Sequence, residues 1–180
     1  MIQFWELHHL SPEQLLRIMR RAETDISILF PLAQEVIDRV RTGGDTAVVE
    51  YSRKFDAPAF DVSMLRATQE DYDAAHASLS GEVISAIEAA HDNILRFHEA
   101  QMPNAMWFTE VQPGVMAGER ITPIASAGLY VPRGKGAFPS VMLMLATPAM
   151  VAGVQRTIVV TPPTPEGKAD AGSLVAAEIC

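Results

Sequence analysis

Residues 127–153 constrain the fold of this chain more than any other stretch. A short apolar run, Ala127 to Val131, leads into a loop rich in proline and glycine, Pro132-Arg133-Gly134-Lys135-Gly136. A nearly uninterrupted apolar segment, Ser140 to Ala152, follows, and after Gly153 comes a second apolar run, Thr157-Ile158-Val159-Val160. Strand, glycine loop, helix, strand is the order of a βαβ crossover, and a crossover implies parallel pairing. In parallel sheets, ligands bind beyond the carboxyl ends of the strands. The loop 132–139 leaves from such an end, and so does the stiff loop 161–167, TPPTPEG. The two loops are therefore expected side by side.

The rest of the pattern is different. Ser11-Pro12-Glu13 is a helix start, with serine at the N-cap and proline at the first helical position. Leu15, Leu16, Ile18 and Met19 supply an apolar stripe, and Arg17, Arg20 and Arg21 fit a solvated face or the last turn. A second helix is expected from Asp25 to Arg41, with Pro31 marking its start, and Thr42-Gly43-Gly44-Asp45 should stop it and open a third helix to Phe55. Thr68-Gln69-Glu70-Asp71 resembles a capping signal before a helix to about Leu79, and Ser80-Gly81-Glu82 opens a long one to about Gln101. Met106–Val111 and Val115–Ile121, around Gln112-Pro113-Gly114, read as an antiparallel hairpin. The expected fold class is therefore α/β: a mainly helical region over 1–103, then a hairpin and an incomplete Rossmann-like βαβ unit over 104–180. The final run, Asp170 to Cys180, reads as a helix under way with no C-terminal stop, and a further strand is expected after it.

Charge and composition exclude some functions. The formal net charge of -8 argues against a general nucleic-acid or anionic-membrane partner. A single cysteine, Cys180, rules out an internal disulfide framework and fits a reducing compartment. No basic n-region precedes an apolar core at the N-terminus, and Val141–Ala152 is too short to span a bilayer, so a cytoplasmic location is expected.

Known phosphate motifs fail here. A P-loop needs GxxxxGK followed by Ser or Thr; Gly128 and Gly134 are separated by one residue too many, and Gly136 stands at the hydroxyl position. GxGxxG fails because Gly134-Lys135-Gly136 is followed by Ala137-Phe138-Pro139. What remains is the helix N-terminus near Ser140, with Arg133 or Lys135 to supplement it, as an anion cradle; a plain connecting loop explains the same residues. Tyr130 ends the first parallel strand, where an aromatic ring can lie against a nicotinamide or adenine ring or simply join the core. His8, His9, His76, His91 and His98 form no HExxH motif and read as solvated or capping groups. Met142, Met144 and Met150 read as core fillers, Pro148 as a kink or limit of its helix, and Cys180 as a thiol without a partner.

The segments RFHEAQMP (96–103), VQPGV (111–115), GLYVP (128–132), PSVMLMLATPAMVAGV (139–154) and VVTPP (159–163), with YSRKFD (51–56) before them, resemble in order and spacing the N-terminal part of histidinol dehydrogenases. The resemblance implies oxidation of L-histidinol through L-histidinal to L-histidine, with NAD and zinc as cofactors, in a homodimer. It also implies a Rossmann-like fold without the usual glycine fingerprint, a Glu–His acid–base pair, and cofactor contacts at Tyr130, Pro132 and Pro162. The family's zinc ligands and catalytic groups are expected beyond residue 180, so no catalytic or metal residue is assigned in this chain. One departure stands out: the family usually reads PGG where this chain has Pro132-Arg133-Gly134. The two added charges, Arg133 and Lys135, point to an anionic alcohol as an alternative substrate. A non-catalytic nucleotide- or anion-binding module is the other alternative.

Overall fold

In the computed structural model, residues 4–20, 26–133 and 136–180 are described. Arg21, Asp25, Gly134 and Lys135, which carried expectations above, lie outside them. The chain divides into two compact units, residues 1–44 and 45–180.

The first unit is helical. A 3-10 turn at Leu7–His9 precedes helix α1 (Pro12–Arg20), in which Ser11 and Gln14 exchange reciprocal backbone–side-chain hydrogen bonds. After a 3-10 turn at Ser27–Leu29, helix α2 (Phe30–Phe55) begins one residue before Pro31. The expected stop at 42–45 takes the form of a break inside that run. Gly44 adopts φ 55° and ψ -142°, a conformation closed to side-chain-bearing residues, and separates the two helical stretches. The apolar stripe of α1 stays largely uncovered: Leu16 and Met19 are exposed.

The second unit holds the core. Helix α3 (Gln69–Ser78) opens with the expected capping box, in which Thr68 caps the Asp71 N–H while the Asp71 carboxylate reaches back to the Thr68 N–H. Helix α4 (Gly81–Gln101) starts at Ser80, whose Oγ accepts from the Val83 N–H. Strands β1 (Met106–Gln112) and β2 (Val115–Arg120) form the antiparallel hairpin. Strand β3 (Ser126–Tyr130), helix α5 (Pro139–Val151) and strand β4 (Arg156–Val160) form the crossover, and helix α6 (Ala171–Ile179) follows.

Strands β3 and β4 pair in parallel, Ser126 opposite Arg156 through Tyr130 opposite Val160. Helix α5 ends in a Schellman turn that needs its glycine: Gly153, at φ 77°, donates to the Met150 carbonyl, and the Val154 N–H donates to the Ala149 carbonyl. Pro148 sits in the last turn of α5 without ending it. Helices α4, α5 and α6 pack on one another, α3 packs on α6, and α5 returns against β3. Leu143, Val131, Val175 and Ala176 are fully buried at the centre of this layer, with Ile87 and Met142 beside them.

Several apolar residues expected inside are exposed. Met144 and Met150 face away from α4 and α6, because α5 is covered on one side only by the described residues. The sheet shows the same asymmetry. Val131 and Val159 join the helical core, whereas Tyr130, Ile158 and Val160 lie uncovered on the opposite face. Strands of a parallel sheet are normally apolar because both faces are covered, so the pattern was legible although one face of this pair is uncovered among the described residues. The hairpin is exposed at every position.

Candidate functional site

The parallel register decides where the expected cofactor residues meet. The backbone continues one step past the strands, with the Val131 N–H donating to the Val160 carbonyl at 2.9 Å. Pro132 and Pro162 therefore leave the sheet at the same end, one residue beyond Val131 and two beyond Val160. Tyr130 is the last residue of β3, and its side chain is 61% exposed on the uncovered face of the sheet. Val131, fully buried beneath the rim, anchors the turn between Tyr130 and Pro132. Pro162 is half-buried and Pro132 exposed.

The rim is electropositive in its backbone. Helix α5 starts at Pro139 with Phe138 as N-cap, with no side-chain cap and no acidic residue in its first turn. A helix N-terminus of this kind attracts negative charge. Its neighbour α6 also begins here, since a side chain on Gly172 would lie 3.5 Å from the Pro139 ring. Helix α6 is capped internally, with the Ser173 N–H donating to Asp170 Oδ1 at 2.8 Å. Arg133 follows Pro132 directly; its Nε is buried and has no hydrogen-bond partner. Glu166, on the loop after β4, is held below the usual carboxylate range, chiefly by a hydrogen bond from the Thr164 side chain and to a smaller extent by Arg133.

A second set of contacts fixes the loop after β4. Lys168 Nζ donates to Asp71 Oδ1 at 2.8 Å, tying that loop to the start of α3. The Lys168 hydrogen bond, with those of the Thr68 backbone and hydroxyl, lowers the Asp71 pKa to about 2. Gly167, at φ 84°, closes the turn, where a side chain would meet Met64 Sδ. Sequence reasoning missed this clamp, because Asp71 and Lys168 are 97 residues apart and nothing local pairs them.

The histidines divide. His8 and His9 are exposed and lie 3.4 and 3.1 Å from the Glu6 carboxylate, within a loose trio of Glu6, His8 and His9. His76 Nε2 meets Glu178 Oε2 at 2.6 Å and links α3 to α6. His91 corrects the expectation: it is buried on the packed stripe of α4, four residues after Ile87, and its Nε2 has no partner. Cys180 also differs from expectation, since its Sγ lies 3.3 Å from Thr147 Oγ1, and burial raises its thiol pKa despite that bond.

The family model for histidinol dehydrogenase matches residues 19–180. The chain belongs to the histidinol dehydrogenase family. Over 99% of its length it is 46% identical to the histidinol dehydrogenase of Synechocystis sp., and it spans 41% of that relative. It is 43% identical to a "histidinol dehydrogenase homolog" of Rhizobium meliloti, again over 99% of the chain and 39% of the relative. The crystal structure of histidinol dehydrogenase from Elizabethkingia anophelis superposes with a TM-score of 0.77 at 32% identity, covering 84% of this chain and 34% of that one. The chain thus spans about two fifths of the curated relatives it matches. The α/β class, with its parallel pair, is consistent with the fold of the family. Among the described residues no helix is long and apolar enough to cross a membrane.

Proposed function

We propose that this chain is the N-terminal, dinucleotide-side part of a zinc- and NAD-dependent histidinol dehydrogenase acting in histidine biosynthesis. The observation that carries the reading is the shared rim. Parallel pairing of β3 and β4 sends Tyr130, Pro132 and Pro162 to one end of the sheet, beside an uncapped helix N-terminus. In this reading 104–180 begins the cofactor domain, the Tyr130 ring lies against a ring of NAD, and the two prolines shape the walls of the crevice. The start of α5 supports the negative charge of the dinucleotide.

NAD, when bound, supplies the hydride acceptor. The overall reaction balances in two stages. The alcohol and NAD+ give aldehyde, NADH and a proton; the aldehyde, water and a second NAD+ give carboxylate, NADH and two protons. Zinc ligands and acid–base groups come from sequence beyond residue 180, and the working enzyme is a cytoplasmic homodimer.

A second reading is favoured by Arg133, whose buried Nε lacks a partner at this rim. A guanidinium there suits an alcohol that carries an anionic group. The full-length protein, assayed with zinc and NAD against L-histidinol and a panel of anionic alcohols, separates the two. Oxidation of histidinol with kcat/KM well above the panel supports the first reading. A preference for an anionic alcohol, lost in Arg133→Ala, replaces it with the second. Reduction of NAD with none of these alcohols leaves neither standing.

A further inference from the structure

Among the described residues, one group brings three metal-ligating side chains together, each with a donor atom within 4.8 Å of the others: Glu6, His8 and His9. Glu6 Oε2 lies 3.4 Å from His8 Nε2 and 3.1 Å from His9 Nδ1. The local fold sets this spacing. The chain turns as a 3-10 helix at Leu7–His9, closed by the His9 N–H donating to the Glu6 carbonyl at 2.9 Å. In such a turn, side chains three apart lie over one another, which brings Glu6 against His9. His8 folds in beside them, its ring centroid 4.2 Å from that of His9.

The three donors suit a particular class of ion. Zinc binds imidazole nitrogen and carboxylate oxygen at about 2.0–2.2 Å, so two donors in a tetrahedral shell stand roughly 3.4 Å apart. The two nitrogen–oxygen distances match that separation without movement. The gap between the two nitrogens closes by rotation of side chains that are open to solvent, His8 at 74% and His9 at 72% exposure. Two imidazoles and one carboxylate favour zinc and its transition-metal neighbours over calcium or magnesium, which take oxygen ligands. Three protein ligands leave a fourth position for water. Three other histidines are engaged elsewhere: His76 with Glu178, His91 in the core, and His98 edge-on to Phe97.

We propose that Glu6, His8 and His9 form a surface site for a divalent transition metal of the zinc class, which pins the turn at residues 6–9 when bound. The proposal rests on these three side chains alone and does not depend on the dinucleotide reading.

Zinc itself is the probe, and the full-length protein is the sample. Equilibrium dialysis at buffered free zinc compares the wild type with His8→Ala, His9→Ala. Because the readout is a difference, zinc held by the rest of the protein cancels. The wild type takes up one equivalent more than the double variant, and Glu6→Gln weakens uptake of that equivalent about tenfold or more. Hydrogen exchange adds a local readout: zinc slows amide exchange over residues 6–10 in the wild type and not in the double variant. The exposed positions tolerate these changes, so melting temperatures without zinc stay equal. Equal zinc uptake by wild type and double variant, or an exchange rate over 6–10 that zinc leaves unchanged, overturns the proposal.

Discussion

Replacing Tyr130 by alanine separates cofactor binding from packing. The side chain is 61% exposed, so little buried surface is lost, and the stability change should stay within about 0.5 kcal/mol. If the ring stacks on the dinucleotide, its loss removes roughly 0.5–1.5 kcal/mol of binding. At about 1.4 kcal/mol per tenfold, KM for NAD should rise roughly 2- to 12-fold. KM for the alcohol should change by less than that, and Tyr130→Phe should restore most of the NAD affinity, because the ring and not the hydroxyl makes the contact. The assay is steady-state kinetics of the full-length protein with each substrate varied in turn, beside thermal melting of both variants. An unchanged NAD dependence together with a clear loss of melting temperature would refute the reasoning and make Tyr130 a packing residue.

Leu143 is 1% exposed within the layer that α5 shares with α4 and α6, so Leu143→Ala should cost about 2–5 kcal/mol, read as a lowered denaturation midpoint. Removing the cap of α3 with Thr68→Ala should cost about 0.5–2 kcal/mol in the same measurement, and an unchanged midpoint would show that the capping box contributes nothing. Asp71 has a folded-state pKa lowered from 3.8 to about 2, so its contribution is complete above about pH 4 and is lost as pH falls toward 2. Melting temperatures of wild type and Asp71→Asn should therefore converge over that window, and a gap that stays constant down to pH 2 would contradict the Lys168–Asp71 clamp.

What the sequence disclosed was what is local. The crossover, the hairpin, the capping box at Thr68 and the glycine stop at 44 each rest on residues a few positions apart, and each forms where expected. The rim was legible too, because parallel pairing follows from the strand–helix–strand order alone. Burial was less legible. Met144, Met150 and Ile158 have the composition of core residues, yet the elements that would cover them are not among those described. His91 misled in the other direction, since periodicity places it on the packed stripe of α4 while residue type alone suggested solvent. Contacts between distant segments, Lys168 with Asp71 and His76 with Glu178, carry no local signature. At Arg133 the structure adds an observation that the sequence could not contain, a buried guanidinium nitrogen with no partner.

The central claim is that the carboxyl ends of β3 and β4 receive the dinucleotide. A crystal structure of the full-length protein soaked with NAD measures this most directly. The account predicts a cofactor ring in van der Waals contact with Tyr130, with Pro132 and Pro162 on either side of it. NAD bound elsewhere, with the Tyr130 ring enclosed by protein side chains, would contradict it.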